Sequence, residues 1–193
     1  MMNVPLYDLS IRPFSRMLDN LQNILGKAAA HAGGDEDTER ELLAARLAPD
    51  MLPLSYQVQI VIDGARGAAL RLAGGMLPDP EAPDYAVFNR GEGAPFRSSP
   101  RSFRELADRV RLAMDELQTY APAQINDSCV QEIVVKSRQQ TRIFEPEAFI
   151  LDYVVPNFYF HISVAYAILR HCGVGLGKQD FEGPKCYQLE TPT

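Results

Sequence analysis

The sequence predicts a mainly α-helical, single-domain protein with one short β-hairpin set before its last helix. Three observations carry this. Four long stretches repeat apolar residues at three-and-four spacing, which places them on one helical stripe. Residues 128–144 switch to β-favouring types. The 193 residues are enough to bury a core without disulfides or metals to staple it.

The first stretch, residues 6–30, carries Leu6, Leu9, Phe14, Met17, Leu18, Leu21 and Leu25, with Pro13 expected to separate or kink its first turn. AHAGGDEDTE then ends it with two glycines and supplies acidic residues suited to a helix start, so a short helix is expected over 38–47. The next helix, 54–73, is LSYQVQIVIDGARGAALRLA. Its polar Gln57, Gln59 and Asp63 sit among apolar neighbours, and Gly64 and Gly67 imply close approach by another element, which makes this helix central. Residues 74–100 hold five of the fourteen prolines and show no period, so an inserted loop is expected: a lid, a binding loop or a disordered insertion. Ser99 and Ser102 offer caps for a helix over 101–119 with the stripe Phe103, Leu106, Val110, Met114 and Leu117. The hairpin follows, its apolar arms flanking a polar KSRQQ. Pro146 opens the last helix, Gly173 stops it, and Pro156, ten residues in, is expected to kink it.

A net charge of −6 and a pI near 5.1 argue against nucleic acid, which is bound through clustered cations. The run Arg90, Arg97, Arg101, Arg104, Arg109 and Arg111 is interleaved at its later positions with Asp108, Asp115 and Glu116, as on a solvated helix face. Cys129, Cys172 and Cys186 are odd in number and lack CxxC spacing, which suggests a reducing compartment rather than a disulfide framework or a zinc site. With no charged leader before an apolar run and no segment reaching the roughly 20 apolar residues a membrane span needs, a cytoplasmic protein is expected.

The chemistry-bearing candidate is His161, in YVVPNFYFHISVAYAILRHCG, with Asn157 four residues before it and Ala165 four after. A metal site on one helix needs a second ligand at that spacing, and neither neighbour is one. A metal ligand, a catalytic or ligand-orienting group, and a hydrogen-bonded structural histidine all stay open. Tyr7, Tyr56, Tyr153, Tyr159 and Tyr166 bring apolar bodies with polar tips; with His161, Gln57, Asp63 and Arg46 they could line a cavity for a small molecule. No GxSxG and no phosphate-cradling glycine loop after a strand is present.

LAPDMLPLSYQVQI and VPNFYFHISVAYAILRHCGVGLGKQDFEG, supported by LYD at 6–8 and GKQDF at 177–181, resemble an uncharacterised branch of the DinB/YfiT-like bundles, over nearly the whole chain. The resemblance implies an up-down-down-up four-helix bundle with the hairpin before the fourth helix, and makes a homodimer plausible. The wider family is similar in fold to metal-dependent thiol-linked transferases and hydrolases, whose metal is held by one His of the second helix and a His pair four apart on the fourth. Here Gln57 lies near the first of these positions and only His161 remains of the pair, which counts against a metal.

The expectation is therefore a cofactor-free enzyme that rearranges a small apolar or mixed-polarity molecule, as an isomerase, cyclase or lyase. His161 would be the acid or base, Asn157 and Gln57 would orient it or the substrate, and Asp63 or Tyr166 would set its tautomer. Tyr56, Phe158, Arg46 and Tyr7 would bind substrate, with the 74–100 loop as a lid. The alternatives are a DinB-like metal-dependent transferase and a non-catalytic binding or dimerisation module.

Overall fold

The computed structural model describes residues 4–75, 100–136 and 140–188. Its helices are α1 (Leu6–Leu9), α2 (Ile11–Ala32), α3 (Glu36–Ala44), α4 (Leu54–Leu72), α5 (Phe103–Gln118), α6 (Pro122–Asn126), α7 (Pro146–Ala148), α8 (Val155–His171) and α9 (Lys178–Glu182). The strands β1 (Ile133–Lys136) and β2 (Thr141–Phe144) pair antiparallel, Ile133 opposite Phe144 and Val135 opposite Arg142. The hairpin is present as expected, and α2, α4, α5 and α8 form a four-helix bundle.

Most helix boundaries follow from local chemistry. The first break falls at Ser10, whose hydroxyl donates to the Leu6 carbonyl at 2.6 Å, and not at Pro13. Pro13 sits in the first turn of α2, where a missing N–H costs nothing. Gly33, at φ 62°, takes the left-handed conformation that ends α2. Asp35 then caps α3 by accepting from the Thr38 N–H at 3.2 Å, and Ser102 caps α5 from the Glu105 N–H at 3.1 Å. Ser99 and nearly all of the 74–100 segment lie outside the described residues.

Two side-chain links set the direction of the central pair. Arg109 Nη1 donates to Gln59 Oε1 at 3.2 Å, and Arg66 Nε donates to Glu116 Oε2 at 2.6 Å. Both join residues fifty apart, so α4 and α5 run parallel. Gln57 meets His161 near the start of α4, and Arg71 faces Tyr153 near its end, so α8 runs antiparallel to α4. The Phe103 N–H donates to Glu39 on α3, which sets the start of α5 beside the end of α2. The result is up-down-down-up. Parallel neighbours cannot be joined by a tight turn: the connection from α4 to α5 must return the length of α4, about 28 Å for nineteen residues. That topological need accounts for a long 74–100 connection whatever else it does.

The last helix departs from the expected kink. Residues 146–171 stay helical throughout, but Phe149–Val154 form a π turn in which the Val155 N–H bonds to Ile150 O, five residues back. Pro156 lies immediately after it. A proline ring presses on the carbonyl four residues earlier, and the wider π turn relieves that crowding without breaking the helix. Contrary to expectation, this helix is long and apolar enough, at mean hydropathy 1.2, to pass as a membrane span on length and composition alone. Its apolar residues Phe158, Ile162, Ala165, Ile168 and Leu169 are instead buried in the bundle core.

Two short helices were not expected, α6 and α9. The second docks on α2: Asn20 Nδ2 donates to Phe181 O at 2.9 Å, and Lys27 pairs with Asp180 at 2.7 Å. Gly183 closes α9 at φ 71°, ψ −159°, a region essentially confined to glycine, and a Cβ there would land on the buried Asn20 carboxamide. Gly183→Ala is accordingly expected to cost about 1–3 kcal/mol of stability in urea unfolding. Gly26→Ala, in the middle of α2 with nothing near its would-be Cβ, should instead stabilise by about 0.5–1 kcal/mol.

Candidate functional site

Gln57 is one turn into α4 and is buried at 2% exposure. Both ends of its carboxamide are engaged: Nε2 donates to Leu52 O at 3.1 Å, and Oε1 lies 2.7 Å from His161 Nδ1. The first bond assigns the second. With the amide nitrogen on a carbonyl, the oxygen faces the imidazole, and because that oxygen only accepts, Nδ1 carries the hydrogen. In the neutral ring Nε2 then holds the lone pair. Burial disfavours the imidazolium and pushes the His161 pKa down to about 4, so the ring is neutral at pH 7. Phe160 packs edge-on at 5.1 Å from the ring centre while itself remaining 54% exposed.

The structure confirms the juxtaposition of Gln57 and His161 but disperses most of the other expected residues. Asn157 turns back on its own helix, donating to Tyr153 O at 2.6 Å, so it does not orient His161. Asp63 is six residues beyond Gln57, about 120° around the helix, on the Gln59 and Arg66 stripe that faces α5. Tyr166 packs edge-on against Phe181 of α9 at 5.8 Å. Gln57, rather than Asp63 or Tyr166, therefore sets the tautomer. Phe158 is fully buried against Phe14 at 4.7 Å and is a core residue, not a pocket wall. Tyr7 lies at the α1 end, its N–H bonded to Asn126 Oδ1 at 2.9 Å. Tyr56 and Arg46 line a separate cleft of about 780 Å³ with Glu36, Glu39 and Arg101, and the Arg46 guanidinium donates to Met51 O. His161 is not part of that cleft's wall. Among the described residues, no cavity gathers the nine.

Among the described residues the donor set does not fit the metal that the fold resemblance implies. Among the described residues no three His, Cys, Asp or Glu side chains come together as ligands. Gln57 is committed to Leu52 O and to His161 Nδ1, so it has no amide atom left to offer a metal here.

Residues 6–182 match the family model described as a domain of unknown function, DUF1993. Among solved structures, the chain is similar to a DinB family member protein from Shewanella denitrificans, at 33% identity, with 96% of each chain covered and a TM-score of 0.75. None of the curated proteins matches the chain.

Because the folded pKa of His161 lies below its ordinary 6.5, the unfolded chain takes up this proton first as the pH falls. Wild type should lose stability relative to His161→Gln between about pH 6.5 and about pH 4, and be unaffected by this group above that window. NMR titration of the imidazole should give a midpoint near 4, and Gln57→Leu should release the Nδ1–H tautomer preference.

Proposed function

The chain belongs to the DUF1993 family, a DinB-like domain of unknown function, and from that premise we propose that it is a metal-independent enzyme acting on a small molecule by proton transfer, of the isomerase, cyclase or lyase type. Fold does not dictate chemistry, so the reading rests on the site. The observation that carries it is the chain of bonds Leu52 O, Gln57, His161, which fixes the tautomer whose lone pair is on Nε2.

In such a reaction Nε2 takes a proton from the substrate, and the imidazolium is held through Nδ1–H by Gln57 Oε1. The proton is then returned to a different substrate atom, giving isomerisation or ring closure, or to a leaving group, giving elimination. A histidine with a pKa near 4 is fully in its base form at neutral pH but is a weak base. It suits a proton already acidified by the substrate, as beside a carbonyl, and gives that proton back readily. The metal-dependent transferase alternative lacks a matching donor set among the described residues.

Incubation of the protein in D₂O with a panel of small carbonyl compounds, followed by NMR, tests the reaction class before a substrate is known. At least one compound is expected to exchange a proton for deuterium. His161→Ala should slow that exchange at least 100-fold, since positioned acid–base groups contribute about 10²–10⁴-fold, with the melting temperature shifted by only a few degrees. Undiminished exchange in His161→Ala, or exchange that requires one equivalent of added metal, would overturn the reading.

A further inference from the structure

Because α4 and α5 run parallel, their N-termini emerge at the same end of the bundle. Both border the cleft of about 780 Å³ that α3 closes from the side: Pro53 and Ser55 from the start of α4, Ser102 from the start of α5. A helix start presents N–H groups without intrahelical partners and carries partial positive charge. The two starts are answered differently. At α5 the Ser102 side chain accepts from the Glu105 N–H at 3.1 Å, and the Glu39 carboxylate accepts from the Phe103 N–H. At α4 no side chain caps the helix and no acidic residue stands in its first turn. There the Leu54 N–H donates to Ala45 O at 2.9 Å, and those of Tyr56 and Gln57 donate to Pro53 O at 2.9 and 3.0 Å. The remaining pair of donors is the Ser55 N–H and the Ser55 hydroxyl. Neither makes a hydrogen bond among the described residues, although Ser55 is only 5% exposed and its side chain forms part of the cleft wall.

We infer that the Ser55 N–H and hydroxyl, together with the Arg46 guanidinium, form a receptor for an oxyanion, the carboxylate or phosphate of a small molecule whose body lies in the cleft. Buried polar groups are as a rule hydrogen-bonded, and two donors side by side at a helix start match the oxygens of such a group. The bond from Leu54 N–H to Ala45 O folds the intervening loop back, so that Arg46 is returned to the first turn of α4. Its guanidinium donates there to Met51 O through Nη1 and makes no ion pair among the described residues, so the rest of its fork is left to meet an anion. Arg101 adds a second exposed guanidinium to the wall.

The carboxylates of the cleft, Glu36 and Glu39, both belong to α3, and Glu39 is engaged by the Phe103 N–H. That bond is the chain's own example of a carboxylate seated on a helix start at this end of the bundle. Leu43, Pro53 and Pro100 supply apolar surface, and the volume falls within the roughly 300–1,000 Å³ of small-molecule pockets. Neither Gln57 nor His161 lines this cleft, so the receptor holds with or without the proton-transfer reading.

Calorimetric titration of the full chain with benzoate and, separately, with phenyl phosphate, at constant ionic strength, tests the receptor. One saturable site is expected, and the tighter of the two probes identifies the group recognised. Arg46→Gln should weaken it about 10-fold or more, and Arg46→Lys should recover only part of the loss, because an ammonium lacks the fork. Ser55→Ala, which keeps the N–H and removes the hydroxyl, should weaken it several-fold. Ser55→Asp puts the chain's own carboxylate at the start of α4; it should abolish binding without lowering the melting temperature, since negative charge suits a helix N-terminus. The absence of saturable binding of either probe, or wild-type affinity in Arg46→Gln or in Ser55→Asp, would overturn the inference. Should Ser55→Asp fail to fold, wild-type affinity in Ser55→Ala would do the same.

Discussion

The rest of the structure depends on the desolvation of α4. Fifteen of its nineteen residues are buried, on all sides, and they include Gln57, Gln59 and Asp63. A buried amide left without a partner costs about 1–3 kcal/mol, so each neighbouring element has to answer what α4 presents to it. Helix α5 answers with Arg109 and Glu116 at a constant offset, which sets the pair parallel. Helix α8 answers with His161. The polar residues of the central helix therefore specify direction and register as well as chemistry, where an all-apolar stripe would have tolerated sliding.

That same desolvation defines the state of the histidine. The environment that requires Gln57 to have partners also penalises the imidazolium, and a carboxamide oxygen, carrying no full charge, does little to restore it. A carboxylate in place of Gln57 would raise the pKa and hold a proton; a glutamine fixes the tautomer and leaves the ring uncharged.

Much of the scaffold was legible in the sequence. The long helices and the hairpin follow from periodicity and from a local switch in residue type, and the ends of α2 and α5 from Gly33 and Ser102. The parallel pairing of α4 and α5 came only with the up-down-down-up order that the family resemblance implied, because periodicity does not report contacts between residues fifty apart. Helices α6 and α9, five residues each, are too short to display a period. The π turn escapes a 3.6-residue pattern as a slip of one position, and Pro156 was its only visible trace. Of the site, Gln57 and His161 stood out as polar residues on apolar stripes. Asp63 and Tyr166 failed on angle: six residues from Gln57 and five from His161 are not multiples of a helical turn. Arg142 went unnoticed because a strand four residues long gives little notice of which face turns inward, although the alternation of β1, with Ile133 and Val135 buried, held the signal.

The order in which this chain can assemble follows from its parallel central pair. Two helices that run the same way cannot close as a hairpin, so α4 and α5 must find each other across the whole connection between Leu72 and Phe103. The bond from Gln57 to His161 spans 104 residues, and closing so long a loop costs entropy that only the finished packing repays. In the finished fold one flank of α4 is covered by α8, the last long helix of the chain. The Gln57–His161 pair thus exists only where α4 and α8 are docked, so it reports on long-range packing rather than on either helix alone.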